Sequence, residues 1–505
     1  MQGRKVYQEK LFVNFQLSDH VPQDNLYRRI LGLLDFEYLY KLTAKYYGRE
    51  GQKSVDPVVL MKLMLVGYLE NINSDRRIIE VSRLRMDILF FLGYDLGEPL
   101  PWHSTLSRSR QLYGQEVFTS MFQSVLSKCI DKGMLSGKRQ AIDGFFIKAN
   151  ASLDNMVRRD ILEDALKFAK ELEDNVEEPL PRTVAHSKKN EGSHCGPAPK
   201  KSPSNQTHCN PRDPEAKMSV KPGKVTALNY LGEVSVDTSS HIITHIQAFT
   251  AEKRDSQCLP EVLENLKKNL SRNGLEVSEV VADKGFSSAS SLEALDKMGI
   301  VGYIPNLGTF IFEREGFVYN PESDAFTCPN NLELTYAGTY TDGGYNNRHY
   351  RISNRLCKVC PLRDGCQAHR PGSGARIKQT VDRPFYERMH HRMNSKKAGR
   401  LMKQRQSTVE PVIGSLINHF GMKKVNTIGL AQANKCITMS GIAYNLKKLT
   451  KYVRSTKRKA MAQVKKAMET TLVCTWYLVL TVGLQTPQYP KTKFPKHSTA
   501  LPIIA

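Results

Sequence analysis

Two aspartates stand where a carboxylate is costly. Asp143 follows Gln140-Ala141-Ile142 and precedes Gly144-Phe145-Phe146-Ile147; Asp283 closes Val277-Ser278-Glu279-Val280-Val281-Ala282 and precedes Lys284-Gly285. Short runs rich in Ile, Val and Phe read as buried strands. In an α/β sheet the carboxyl ends of strands line the crevice where ligands bind. A carboxylate there is expensive to bury unless a cation compensates it. Two of them side by side repel, and a divalent cation answers both problems. Mg²⁺ (or Mn²⁺) takes one or two carboxylates and completes its shell with water and phosphate oxygens. A pair of ions about 3.5–4 Å apart clamps the attacking and leaving oxygens of an in-line phosphoryl displacement. Taken singly, an Asp before a Gly is ordinary turn chemistry; the pairing, with a third acid, favours the metal.

The third acid is Glu410, in Arg405-Gln406-Ser407-Thr408-Val409-Glu410-Pro411-Val412. Proline is tolerated in the first turn of a helix, so Pro411 predicts a helix starting near Thr408 with Glu410 in its first turn. The helix dipole there favours an ionised carboxylate, and plain capping electrostatics is the simpler alternative. A second cluster comprises Cys328, Cys357, Cys360 and Cys366, with a C-x2-C at Cys357 and Cys360. Four thiolates can close a tetrahedral Zn²⁺ site that staples a segment poor in apolar residues. The alternatives are four unrelated reduced cysteines or an iron–sulfur cluster. Ten cysteines in 505 residues form no disulfide framework.

The elements that must position these groups follow from the pattern. Residues 1–135 read as an all-helical domain. Pro57 opens an apolar helical run, Arg76–Leu92 continues it, and Pro101–Arg110 reads as a turn entering a helix capped by Ser104 or Thr105. Arg108 and Arg110 on that helix suit a helix-turn-helix contact with DNA; a capped surface helix is the plain reading. Residues 136–450 read as an α/β domain. Its strands are expected at 140–149, 225–237, 242–250, 277–283 and 301–305, and its helices at 153–177, 258–273, from a capping box at Ser290 to Gly299, and 386–449. Two insertions interrupt it: 178–214, read as a flexible Pro/Ser/Lys/His/Gly-rich segment, and the Cys-rich 310–380. Residues 451–505 form a basic tail ending in a Pro-rich, disordered stretch.

Charge points to the partner. Lys plus Arg total 73 and Asp plus Glu 50, a formal net charge of +23, with an ordinary 40% apolar content. Such a surplus fits a polyanion, because each neutralised phosphate releases counterions. The longest apolar stretch, Thr471–Leu484, is too short to span a bilayer. No membrane association is expected, and the protein reads as cytoplasmic.

The order AIDG, VADKGFSS and RQSTVEPVIGSL resembles the catalytic core of DDE transposases of bacterial insertion sequences. Asp213-Pro214-Glu215-Ala216-Lys217 and Gly232-Glu233-Val234-Ser235-Val236-Asp237 belong to the same likeness, as do VDPVVLMKLMLVGYL and WHSTLSRSR in the helical front. The likeness spans roughly residues 10–450. It implies a ribonuclease H-like mixed sheet, a metal triad of Asp143, Asp283 and Glu410, and cleavage of double-stranded DNA at transposon ends followed by strand transfer into target DNA. It also implies a homo-oligomer assembled on DNA and association with the nucleoid. Arg388, Arg405, Lys423 and Lys424 join Arg108 and Arg110 as expected DNA contacts. One departure stands out: related sequences place a Lys one or two turns after the glutamate, where Ile417 stands here. An inactivated transposase that only binds DNA is the alternative reading.

Overall fold

Asp56 and Pro57 start the first long helix, α1 (Pro57–Leu69). The Asp56 carboxylate accepts from the Val58 and Val59 amides at 2.7 and 3.4 Å, and Pro57 sits where no amide is needed. α1 is buried along almost its whole length, the property of a helix at the centre of a bundle. Around it lie α2 (Asp75–Leu84), α3 (His103–Leu112) and α4 (Gln115–Asp131). The expected run Arg76–Leu92 is broken at Arg85, whose backbone is extended, leaving Met86–Leu92 as a separate short helix. α3 begins at His103 behind Trp102 and has no side-chain cap, so neither Ser104 nor Thr105 plays that role. The computed structural model describes residues 15–48, 50, 54–164, 167, 203–220, 225–307, 316–342 and 345–482.

The central sheet is built on β1 (Arg139–Lys148). β2 (Ala227–Asp237) pairs with it antiparallel, and β3 (Ile243–Thr250) pairs antiparallel with β2. On the other side of β1, β4 (Glu279–Val281) and β5 (Val301–Tyr303) add in parallel. The order β3-β2-β1-β4-β5, with the short strand Lys217–Ser219 on the outer edge of β2, is that of a ribonuclease H-like α/β sheet.

Val280 and Val281 point to opposite faces of β4, as alternation requires, and each face has its own helices. On the Val280 face, α5 (Asp255–Ser271), α6 (Ala289–Lys297) and α7 (Arg383–Met393) bury Leu259, Leu263, Leu266, Leu292 and Met389 against Ile142. On the other, Ala398 and Leu401 of α8 (Lys396–His419) pack on Val281 and Tyr303. The edge strand β3 is protected by α9 (Leu430–Val482): Asn434 bonds the Ala248 amide and carbonyl, and Asn445 those of Ile243, at 2.8–3.0 Å.

Three local expectations are corrected. α6 is capped by Ser288, which accepts from Ser291 N, two residues before the expected Ser290. The expected helix at 153–177 gives way at its start to a 3-10 turn, Leu153–Asn155, and a short strand, Val157–Arg158, that pairs with His208–Cys209. That pairing orders the end of the 178–214 insertion, where Tyr230 Oη also donates to the buried Asp213 at 2.6 Å. Residues 168–202 lie outside the described residues. Pro411 lies inside α8 rather than in a first turn. The hydrogen bond a proline cannot make is the one to the carbonyl four residues back; that carbonyl belongs to Ser407, which is exposed to solvent.

The Cys-rich insertion forms a second sheet, antiparallel and six-stranded. Its strands are β6 (Val318–Asn320), β7 (Ala325–Thr327), β8 (Glu333–Asp342), β9 (Tyr345–Arg351), β10 (His369–Arg370) and β11 (Gly374–Thr380), in the order β10-β11-β9-β8-β7-β6. The chain divides into two compact units, Met1–Leu449 and Thr450–Ala505. The second is helical from its start to Val482, and the Pro-rich end of the tail lies outside the described residues. No helix among the described residues is long and apolar enough to cross a membrane.

Candidate active site

Register brings the two aspartates together. Ala141 of β1 stands opposite Val281 of the parallel β4. Asp143 and Asp283 each lie two residues further on, so they sit level on adjacent strands and on one face. The Gly144 amide donates to Asp143 Oδ1 at 3.0 Å, and the Gly285 amide donates to Asp283 Oδ1 at 2.8 Å. The turn chemistry expected of an Asp before Gly is therefore present, and it aims the carboxylates rather than explaining them away. One guanidinium nitrogen of Arg405 lies 3.0 Å from Asp143 Oδ2 and 4.0 Å from Asp283 Oδ2. Arg405 Nε also donates to the Ile142 carbonyl at 3.4 Å. The pair thus shares a cation, closely at the largely buried Asp143 and at longer range at the more exposed Asp283, which offsets the repulsion of two neighbouring carboxylates.

Arg405 is 7% exposed and held among these acceptors. The expectation that it contacts DNA is corrected: it belongs to the acidic site. Glu410 lies on the same helix but is exposed. Five residues place it roughly 140° around the helix from Arg405 and about 7.5 Å along the axis. Arg405, Thr408, Val409 and Val412 face inward. Among the described residues no three His, Cys, Asp or Glu side chains are gathered tightly enough to cage a metal ion. Asp143 and Asp283 are brought together here, and Glu410 stands apart from them.

Two acids that the sequence did not single out complete the neighbourhood. Glu233, opposite Gly144 on β2, is fully buried, with the Asp255 carboxylate as its side-chain hydrogen-bond partner. Burial first, then Asp255, Asp143 and Asp283, push its pKa well above the ordinary carboxylate value. Asp255 opens α5. The available signal was Glu233 itself, a charged residue inside the apolar run of a central strand.

The expected DNA contacts separate into groups. Arg108, Lys423 and Lys424 are exposed. Arg388 is exposed and ion-paired with Asp296. Arg110 is corrected: it is 4% exposed and grips Asp75 with two nitrogens at 2.7 and 3.0 Å, so it is a structural residue of the helical domain. Lys424 lines an open polar cavity of about 470 Å³ with Lys148 and Arg212.

Cys328, Cys357, Cys360 and Cys366, one from a short helix and three from loops of the second sheet, line one cavity of about 370 Å³, with His369 beside them. His369 Nε2 is buried with no hydrogen-bond partner. Burial raises the Cys357 thiol pKa; a backbone bond from Ala375 opposes this, and the thiols of Cys366, Cys360 and Cys328 raise it further.

Comparison with known proteins gives two family matches. A model described as transposase domain (DUF772) matches residues 15–112, and one described as transposase DDE domain matches residues 327–450. This chain is a transposase of the DDE class. The first match covers α1 to α3 of the transposase; the second covers the Cys-rich sheet from β8 onward and Glu410, while Asp143 and Asp283 lie outside both. No curated protein matches it. Among solved structures, a piggyBac transposase synaptic complex with hairpin DNA aligns at a TM-score of 0.32 and 11% identity, covering 86% of this chain and 77% of that one. A Mos1 transposase paired-end complex with left transposon end aligns at 0.15 and 10%, covering 51% and 61%. Overlaps this loose carry no weight for fold or function. The transposase cleaves DNA and transfers strands; no observation favours an inactivated form.

Proposed function

We propose that the transposase cuts and joins double-stranded DNA at Asp143, Asp283 and Glu410, with Mg²⁺ or Mn²⁺ as cofactor. The observation that supports it is the level register of Asp143 and Asp283 around one shared cation. Their donor set fits a hard divalent ion, which is commonly held by one or two carboxylates and needs no closed protein cage. Bound ions would neutralise charge on the attacking and departing oxygens of the phosphodiester. The chain's own part is positioning. Buried strands fix the two aspartates, glycine amides orient them, and Arg405 braces the Asp143 carboxylate. Glu410, on the helix that carries Arg405, would supply the third carboxylate by turning toward the two aspartates, with which it is not grouped in this structure.

Exposed Arg108, Lys423 and Lys424 hold the DNA backbone, and the cavity shared by Lys148, Arg212 and Lys424 extends that contact. Two transposon ends and a target call for a homo-oligomer on DNA, and binding chromosomal DNA places it at the nucleoid. In the second sheet, the four cysteines line one cavity in a unit with a thin core and are the residues that would hold a structural Zn²⁺, although they are not grouped as a metal cage in this structure.

The test is Mg²⁺- or Mn²⁺-dependent cleavage of duplex DNA carrying the element's ends. Asp143→Asn, Asp283→Asn and Glu410→Gln should each lower cleavage by at least about 10²–10³-fold, the loss typical of removing one charge-stabilising group. Aspartate variants that cut like wild type overturn the site; an active Glu410→Gln removes Glu410 alone. A chain that cuts but never yields joined products is a nuclease.

A further inference from the structure

The second sheet treats its two faces differently. β9 lies between β8 and β11, antiparallel to both. Tyr350 of β9 stands opposite Tyr336 on one side and Ile377 on the other, and this face carries the apolar cluster. Alternation sends His349 and Arg351 to the other face. There Arg351 stands directly opposite Arg376, and His349 opposite Lys378. Tyr340 of β8 joins them: its ring lies 4.9 Å from that of His349, and its hydroxyl accepts from Arg351 at 3.4 Å. Arg351, Lys378 and Tyr340 are exposed, and Arg376 is half-buried.

Like charges directly opposite one another destabilise a sheet. On the core face this sheet answers its charge: Arg348 pairs with Asp324. On the outer face, neither Arg351 nor Arg376 forms an ion pair among the described residues. The acid that alternation places on this face, Glu333, lies two residues beyond Thr335, the partner of Arg351, and pairs with neither arginine. The stretch as a whole is basic: residues 333–380 carry eight Lys and Arg against three Asp and Glu. Stability alone would favour an acid between the two arginines. A polyanion resolves the repulsion from outside, and a guanidinium fork matches the oxygens of a phosphate. Duplex DNA is the polyanion on which this transposase acts.

We propose that the outer face of the Cys-rich sheet, centred on Arg351, Arg376 and Lys378, is a docking surface for the backbone of duplex DNA. Tyr340 holds the Arg351 guanidinium at the sheet surface. Contacts of this kind position the duplex without reading its sequence. The surface is distinct from Arg108, Lys423 and Lys424, and it does not depend on the metal chemistry of Asp143 and Asp283.

Equilibrium binding of the full chain to a fluorescein-labelled duplex, followed by anisotropy over a series of salt concentrations, tests this without cleavage. Each phosphate contact contributes about 0.9 to the slope of log affinity against log salt. Arg351→Ala combined with Arg376→Ala should lower that slope by about 2, one for each lost contact, and weaken binding alike for duplexes of different sequence. Arg351→Lys combined with Arg376→Lys keeps the charge and should keep the slope. The alanine pair should melt no lower than wild type, because it removes opposed like charges. Arg351→Gln with Arg376→Gln takes its place if the alanine pair does not fold by circular dichroism. A folded pair that binds with the wild-type slope overturns the docking surface, and a lower melting temperature beside that slope would mark the arginines as structural. Lys423→Ala with Lys424→Ala separates the two sets of contacts: a lowered slope there, with none in the arginine pair, leaves the lysine contacts standing and removes this face alone.

Discussion

The two sheets of the first unit solve the same problem with different means. In the central sheet, β1 runs for ten residues between paired neighbours, and three helices bury a long apolar cluster against one face. Its charged groups are guests in a core that stands without them. In the Cys-rich sheet the buried apolar set is small, centred on Phe326, Leu334, Tyr350, Ile352 and Ile377, and three of its four cysteines come from loops outside the strands and helices. There, polar and thiol groups are part of what holds the fold. Metal should therefore mean chemistry in one sheet and stability in the other.

The largest expected difference comes from stripping metal. A strong chelator, or Cys360→Ser, should unfold the second sheet while leaving the central one intact, since structural zinc contributes on the order of 10 kcal/mol to small domains. Zinc content measured by plasma mass spectrometry should be about one ion per chain, the stoichiometry of a closed four-ligand site. Limited proteolysis should then cut within 316–380 first. A chain free of zinc that resists both treatments would end the zinc proposal and the contrast built on it.

That contrast also governs what could be read in advance. The pairing of Asp143 with Asp283 was legible because a strand's apolar run and the acid at its end are contiguous in sequence; so were the five central strands. Arg110 was misread because its partner, Asp75, lies 35 residues away, and an arginine's sequence neighbours do not show whether it turns inward. Arg405 failed for the same reason: the acids it pairs with are on strands far up the chain. By a local rule Pro411 reads as a helix start, whereas the packing of Thr408, Val409 and Val412 carries the helix through it. Asp255 lies before the helix expected at 258–273, and only the folded chain sets it against Gly144 and Gly285.

A smaller effect sharpens the comparison from the other side. Leu263 is fully buried in the central core. Leu263→Ala should cost about 2–5 kcal/mol, the transfer and cavity cost of such a truncation. The loss, read as a shift in the denaturant midpoint, should be the same with and without divalent ions. A loss that grows when metal is removed would show that the central core leans on its metal after all.

The smallest effect probes the polar node of the second sheet. Asp324 accepts from Tyr319 Oη at 2.9 Å and Tyr350 Oη at 2.8 Å, and pairs with Arg348. Burial raises its pKa, but the bonds from Tyr350 and Tyr319 and the charge of Arg348 outweigh this and hold it below the ordinary aspartate value of 3.8. A carboxyl that ionises more readily in the folded state adds stability above its unfolded pKa and loses it as pH falls through the folded one. The second sheet should therefore weaken on acidification below about pH 4, where an unfolded aspartate begins to protonate. Asp324→Asn should remove that part of the pH dependence, at a cost near 1 kcal/mol because the group is partly exposed. Hydrogen exchange of the β7, β8 and β9 amides measures it. If wild type and Asp324→Asn lose protection in parallel as pH drops from 5 to 3, roughly the range over which an aspartate protonates, the node does not hold the sheet and its stability rests on the cysteines alone.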